Sequence, residues 1–160
     1  MADVATDSVP LGPVEGQMVP ASVLFPRDPT RRIEIVWKDP VAQRQPRFVR
    51  LASGPTKWRT AEGITIGTSL RELERLNGLP FRLAGFAFDG AGAVVSWKGG
   101  RLETRARANC QRRFYVDSLT AAGRNAAAYR NVRGDGEFSS HSRAMQTLNP
   151  RVSSLLLEYP

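Results

Sequence analysis

The chain has 160 residues, of which 41% are apolar and 24% charged, the composition of a globular protein long enough for one domain with a substantial core. Its 14 glycines and 11 prolines favour turns and strands over long helices, and no apolar run approaches the roughly 20 residues that span a bilayer as a helix. The formal charge of +8 invites a polyanion, but the basic residues are almost all arginine, with Lys38, Lys57 and Lys98 the only lysines. The tightest groups, Arg31-Arg32, Arg105 with Arg107 and Arg112-Arg113, are short, so a solvated basic face is expected ahead of a dedicated nucleic-acid surface.

From the N-terminus, residues 1–30 carry repeated Pro and Gly with little periodicity and read as a flexible leader ahead of a single α+β domain at 31–160. The opening lacks a basic stretch followed by an apolar one, so it is not itself an export signal. "RRIEIVWKD" sets Ile33, Ile35 and Trp37 against Arg32, Glu34, Val36 and Lys38, the alternation of a half-buried strand. "PRFVRLA" (46–52) is a second strand, and the turn residues of 53–63 form a loop with Trp58 expected to tuck over a core edge.

A helix is predicted next. Ser69 and Glu72 have the spacing of a capping box, Leu70, Leu73 and Leu76 form one apolar stripe, and Arg71 with Glu74 and Glu72 with Arg75 are spaced to pair on the exposed side. Asn77-Gly78 supplies a left-handed stop and Pro80 forbids continuation. So short a helix is not stable alone and must lie on a sheet. Strands follow at 81–88, where Gly85 marks a bulge or the close approach of another element, and at 93–97, joined by "DGAG"; further strands are expected at 109–116 and 151–159. Between these last two, 117–150 reads as a loop with one short turn of helix, then a second helix capped by Ser140 or Ser142, with Ala144, Met145 and Leu148 apolar and Asn149-Pro150 as its stop. The expected fold is α+β: an antiparallel sheet of four to six strands with one short helix, Ser69–Asn77, packed on a face.

"WRTAEGITIGTSLRELERLNGLPFRLAGFAFDGAGAVVSWKGGRL" (58–102) resembles a block found in a family of small uncharacterised exported bacterial proteins, of the form G-I-x-x-G-T-x-L-x-E-L-x-x-x-N-G-x-P-F-x-x-x-G-F-x-x-D-x-x-G. The closing "SSHSRAMQTLNPRVSSLLLEY" is similar to the closing segment of the same proteins, and together the two cover about half of the chain. The helix ending in "GLP" ahead of a sheet is also similar to small outer-membrane assembly lipoproteins and to β-lactamase-inhibitor-like domains, although this chain lacks their N-terminal lipid-carrying cysteine. These resemblances imply a periplasmic or otherwise exported protein that binds another protein or an envelope component and catalyses nothing.

The search for chemistry agrees with that expectation. His141 is the only histidine and stands beside Ser139, Ser140 and Ser142, but sequence neighbours rarely face one another as nucleophile and base, and no G-x-S-x-G elbow exists. Cys110 is the only cysteine, which excludes an intramolecular disulfide and a CxxC zinc site; in "ANCQRRFYV" it reads as a small buried hydrophobe. Glycines near Gly90 and Gly134 lack a phosphate-binding setting, and "RGDGEF" lacks the calcium-loop pattern. No catalytic residue, cofactor site or metal site is assigned. For binding, the aromatics Phe86, Phe88 and Trp97 of one hairpin, with Arg112 and Arg113, form a candidate patch, the alternative being that the aromatics belong to the core. A basic nucleic-acid-binding module in the cytoplasm is the alternative function.

Overall fold

The computed structural model describes residues 3–12, 16–52, 54–87, 91–103, 110–117 and 125–160. The α+β expectation holds, with two antiparallel sheets and three short helices among the described residues. The larger sheet contains β1 (Val4–Pro10), β2 (Met18–Leu24), β3 (Ile33–Asp39), β4 (Arg44–Ala52), β7 (Gln111–Asp117) and β9 (Arg151–Glu158), in the order β1-β2-β3-β4-β9-β7. A smaller one joins β6 (Val94–Ser96), β5 (Arg82–Ala84) and β8 (Glu137–Ser139) in that order. The helices are α1 (Leu70–Asn77), α2 (Ala126–Arg130) and α3 (Arg143–Leu148).

The first correction concerns the leader: 4–10 and 18–24 are strands of the large sheet. Their prolines are placed where they remove no ladder bond towards β3. Pro20 lies opposite Ser8 of the edge strand, and pairing of β2 with β3 begins only at Ala21. Most of β1 is exposed, with Val9 its one buried residue, so it carries no alternation to read. Pro46 is accommodated similarly, beside a register shift in β3 and ahead of the β4–β9 pairing, which starts at Phe48.

The large sheet is apolar on both faces, and its two faces feed two cores. On one, Val9, Ala21, Val23, Val36, Phe48 and Leu156 pack together. All six belong to the large sheet itself, and Arg50 Nη1 donates to the Pro10 carbonyl at 2.7 Å across two intervening strands. The sheet therefore curls, and closes this core on its own concave side. The opposite face of β7 and β9, with Phe114, Val116, Val152 and Leu155, meets α1, α3 and the small sheet in the second core.

In α1 the stripe is as expected, with Leu70 and Leu73 fully buried and Leu76 partly so. Ser69 Oγ accepts from the Glu72 N–H, and Gly78 takes the left-handed conformation at φ 77°. The side-chain pairing differs from expectation. Glu72 does pair with Arg75, but Arg71 reaches the Gln146 carbonyl and Glu74 turns to the loop before α3. The helix start is stitched to the α3–β9 junction, where Leu70 N–H donates to Pro150 O and Arg71 N–H to Asn149 Oδ1. Ser142 is the cap of α3, and Asn149 is its left-handed stop. Gly85 is a close approach: a Cβ there would collide with the carbonyls of Val132 and Gly134. Neither β8 nor the separation of a second sheet is evident from the sequence, since "EFS" is too short to show a period.

Candidate functional site

Two of the three aromatics of the candidate patch are placed in the core. Phe86 is 3% exposed and stacks on Tyr129, while Trp97 is 7% exposed and sits between Phe81 and Phe114 with ring centroids 4.9 and 5.6 Å away. Both are core residues. Phe88 and the hairpin turn at 89–90 lie outside the described residues. Arg112 and Arg113, adjacent on β7, project to opposite faces: Arg112 pairs with Leu157 in register and meets Glu62 at 2.9 Å, while Arg113 pairs with Leu156 and meets Glu158 at 2.5 Å. They do not form one basic patch.

The cluster around the single histidine is a clamp. Ser140 is fully buried, accepts from the Phe81 N–H at 2.9 Å and donates to Glu74 Oε2 at 2.5 Å. His141 Nδ1 lies 3.0 Å from the other oxygen of the same carboxylate. The carboxylate thus stands between serine and histidine, and the serine oxygen has no access to a substrate; what the group does is hold α1 to the turn between β8 and α3. Cys110 is half-buried just ahead of β7 rather than within it, and no hydrogen bond joins it to His141. Among the described residues, no group of three or more His, Cys, Asp and Glu side chains is arranged to hold a metal ion.

The structure instead opens a cleft on the part of the large sheet that α1 and the small sheet leave uncovered. Register fixes its floor. Ile35 pairs with Val49, Val49 with Leu157, and Leu51 with Leu155, so these side chains share one face with Ile33. Its wall is the loop at 58–61. The cleft is lined by Ile33, Val49, Leu51, Leu155, Leu157 and Trp58, with a volume of about 380 Å³. Trp58, expected over a core edge, is 39% exposed here.

The wall is anchored at both ends. Trp58 Nε1 donates to Arg31 O at 2.9 Å and Lys57 N–H to Thr30 O at 2.7 Å, tying the loop to the β2–β3 turn. That turn is held by Asp28, whose carboxyl is drawn down to about 2 by hydrogen bonds from Thr30 and Arg31. On the other side Thr65 Oγ1 donates to Trp58 O at 2.7 Å, and Thr60 closes a turn by receiving Ile64 N–H on its hydroxyl. Glu62, next along, bonds Arg112; burial alone would raise its carboxyl, but Thr60, its own backbone N–H and Arg112 together hold it below the usual range. The polar rim is Arg59, Thr60 and Arg112.

Sequence reasoning missed this floor because it looked for one apolar face per strand. In β3 the fully buried residues are Glu34 and Val36, and Ile33, Ile35 and Trp37 are half-exposed. The signal available was "LLL" at 155–157, which makes β9 apolar on both faces and so requires two covers. No protein-family model, curated protein or solved structure matches the chain.

Proposed function

We propose that this chain is a non-enzymatic binding protein of the bacterial cell envelope, whose cleft between the large sheet and the 58–61 loop receives an apolar group of its partner, another protein or an envelope component. The observation that carries this reading is the cleft itself: a floor of five aliphatic side chains from β3, β4 and β9, with Ile33, Val49, Leu51 and Leu157 half-exposed and Leu155 buried beneath them, walled by Trp58. Left in water, such a surface costs roughly 25 cal/mol per Å² of apolar area, which an apolar occupant would recover. Its volume of about 380 Å³ lies within the range of roughly 300–1,000 Å³ typical of ligand sites. Export and envelope residence are supported by the resemblance of 58–102, the block that contains the cleft wall, to exported bacterial proteins.

The test uses an uncharged apolar dye, Nile red, with the folded chain. Saturable one-site binding is expected, lost in Val49→Lys and retained in Leu79→Glu, which alters an exposed leucine elsewhere. Thermal melts of both variants establish that they are folded. Absence of saturable binding by the wild-type chain, or equal loss in both variants, would remove the reading.

A further inference from the structure

Resting on that reading, we infer that the occupant is the hydrocarbon tail of a free single-chain carboxylate, a fatty-acid-type amphiphile, with Arg59 meeting its head group. The division of the cleft into an apolar floor and a polar rim matches a molecule with one apolar end and one polar end. The charge of that end follows from accounting for each polar rim group. Arg112 is neutralised by Glu62, both of whose carboxylate oxygens lie 2.9 Å from its Nη1. The Thr60 hydroxyl is engaged by Ile64 N–H. The Trp58 indole N–H is taken by Arg31 O. Arg59 alone lines the cleft with no hydrogen bond or ion pair among the described residues. The rim therefore carries one uncompensated positive charge, on the side chain best suited to a carboxylate because its planar fork can donate two parallel N–H bonds. A cationic head group would be repelled there, and a neutral one would leave the guanidinium without a counter-charge.

The experiment compares dodecanoate, dodecanol and dodecyltrimethylammonium, each below its micelle concentration, by calorimetry and by methyl NMR of the intact chain. Dodecanoate is expected to bind one equivalent, to shift the methyls of Val49, Leu51 and Leu157, and to bind more tightly than either of the others. Because Arg59 is exposed, its replacement leaves the fold intact, and Arg59→Gln should weaken dodecanoate roughly 1.5-fold to fivefold, the strength of an exposed ion pair. Arg59→Glu should reverse the preference towards dodecyltrimethylammonium. Equal affinity for all three probes with the same methyl shifts would overturn the head-group assignment while leaving the cleft as an apolar binding site. Methyl shifts that follow protein concentration without ligand would show a second copy of the chain as the occupant and overturn the inference. No cleft shift with any probe would remove both this inference and the binding reading beneath it.

Discussion

Glu34 and Arg50 meet inside the curl of the large sheet, where both are almost wholly buried. Arg50 Nη2 lies 2.6 Å from Glu34 Oε2, its Nε donates to the same oxygen at 2.8 Å, and Nη1 reaches the Pro10 carbonyl. Arg32 supplies a further bond to Glu34 Oε1. The pair is cross-strand in register, so its geometry is set by the β3–β4 ladder. Such a pair stabilises little compared with apolar residues of the same volume, but either partner left alone strands a charge in the core. Arg50→Met is accordingly expected to cost about 3–5 kcal/mol, and adding Glu34→Leu to recover much of it, leaving the Pro10 carbonyl unsatisfied at about 1–3 kcal/mol. Urea unfolding of the three variants measures this; additive losses in the double variant would contradict it. The pair also explains why this face is illegible in sequence: a Glu and an Arg each alternating with apolar residues read as solvent-facing, and only their pairing across adjacent strands, with the Arg50 bond to Pro10 of β1, shows that they are inside. Asn77 is a similar case. In sequence it belongs to a helix stop, yet it is buried, with Nδ2 donating to Leu79 O and Trp97 O and Oδ1 accepting from Leu102 N–H.

Among the elements, α1 is the one most fully legible from its own residues, because every signal that defines it is local. The Ser69 cap, the leucine stripe and the Gly78 stop lie within ten consecutive residues and agree with one another. With only eight residues it depends on what it packs against. Leu73 is fully buried in the core that also holds Phe81, Phe114, Met145 and Val152, so Leu73→Ala is expected to cost about 2–5 kcal/mol through the cavity it opens. Gly100→Ala should destabilise through the same helix end from outside it, since its Cβ would be driven into the Asn77 side chain. Denaturant midpoints for both variants provide the check, and an unchanged midpoint for Leu73→Ala would mean that α1 is not docked on the sheet. In contrast, β1 and β2 were illegible because their evidence is not local. An exposed edge strand needs only one buried side chain, and the cluster that holds Val9 draws on β4 and β9, far along the chain, as well as on β2 and β3.

For the molecule as a whole, the two cores share one strand, and that connection decides how stability is distributed. In β9 Leu155 enters the core beneath α1, and the next residue, Leu156, enters the core inside the sheet curl. With neighbours on both sides, β4 and β7, β9 cannot open without breaking two ladders. At the opposite extreme, β1 is an edge strand held by β2, by Val9 and by the Arg50 bond to Pro10. Native proteins open in cooperative units whose free energies follow such differences in burial and pairing. Leu156→Ala should therefore cost about 2–5 kcal/mol and lower amide protection in both cores, including that of α1. Val9→Ala should lower protection in β1 and β2 while leaving α1 at its wild-type value. Native-state hydrogen exchange on the two variants separates these outcomes. If Val9→Ala lowered α1 protection as much as that of β1, the curl and the helix-covered face would be one cooperative unit, and the cleft floor on β4 and β9 would share its stability with the N-terminal hairpin. If protection divides as expected, the floor belongs to the most stable part of the sheet, and a ligand lodged against Val49 and Leu157 would meet a surface that is formed before it arrives.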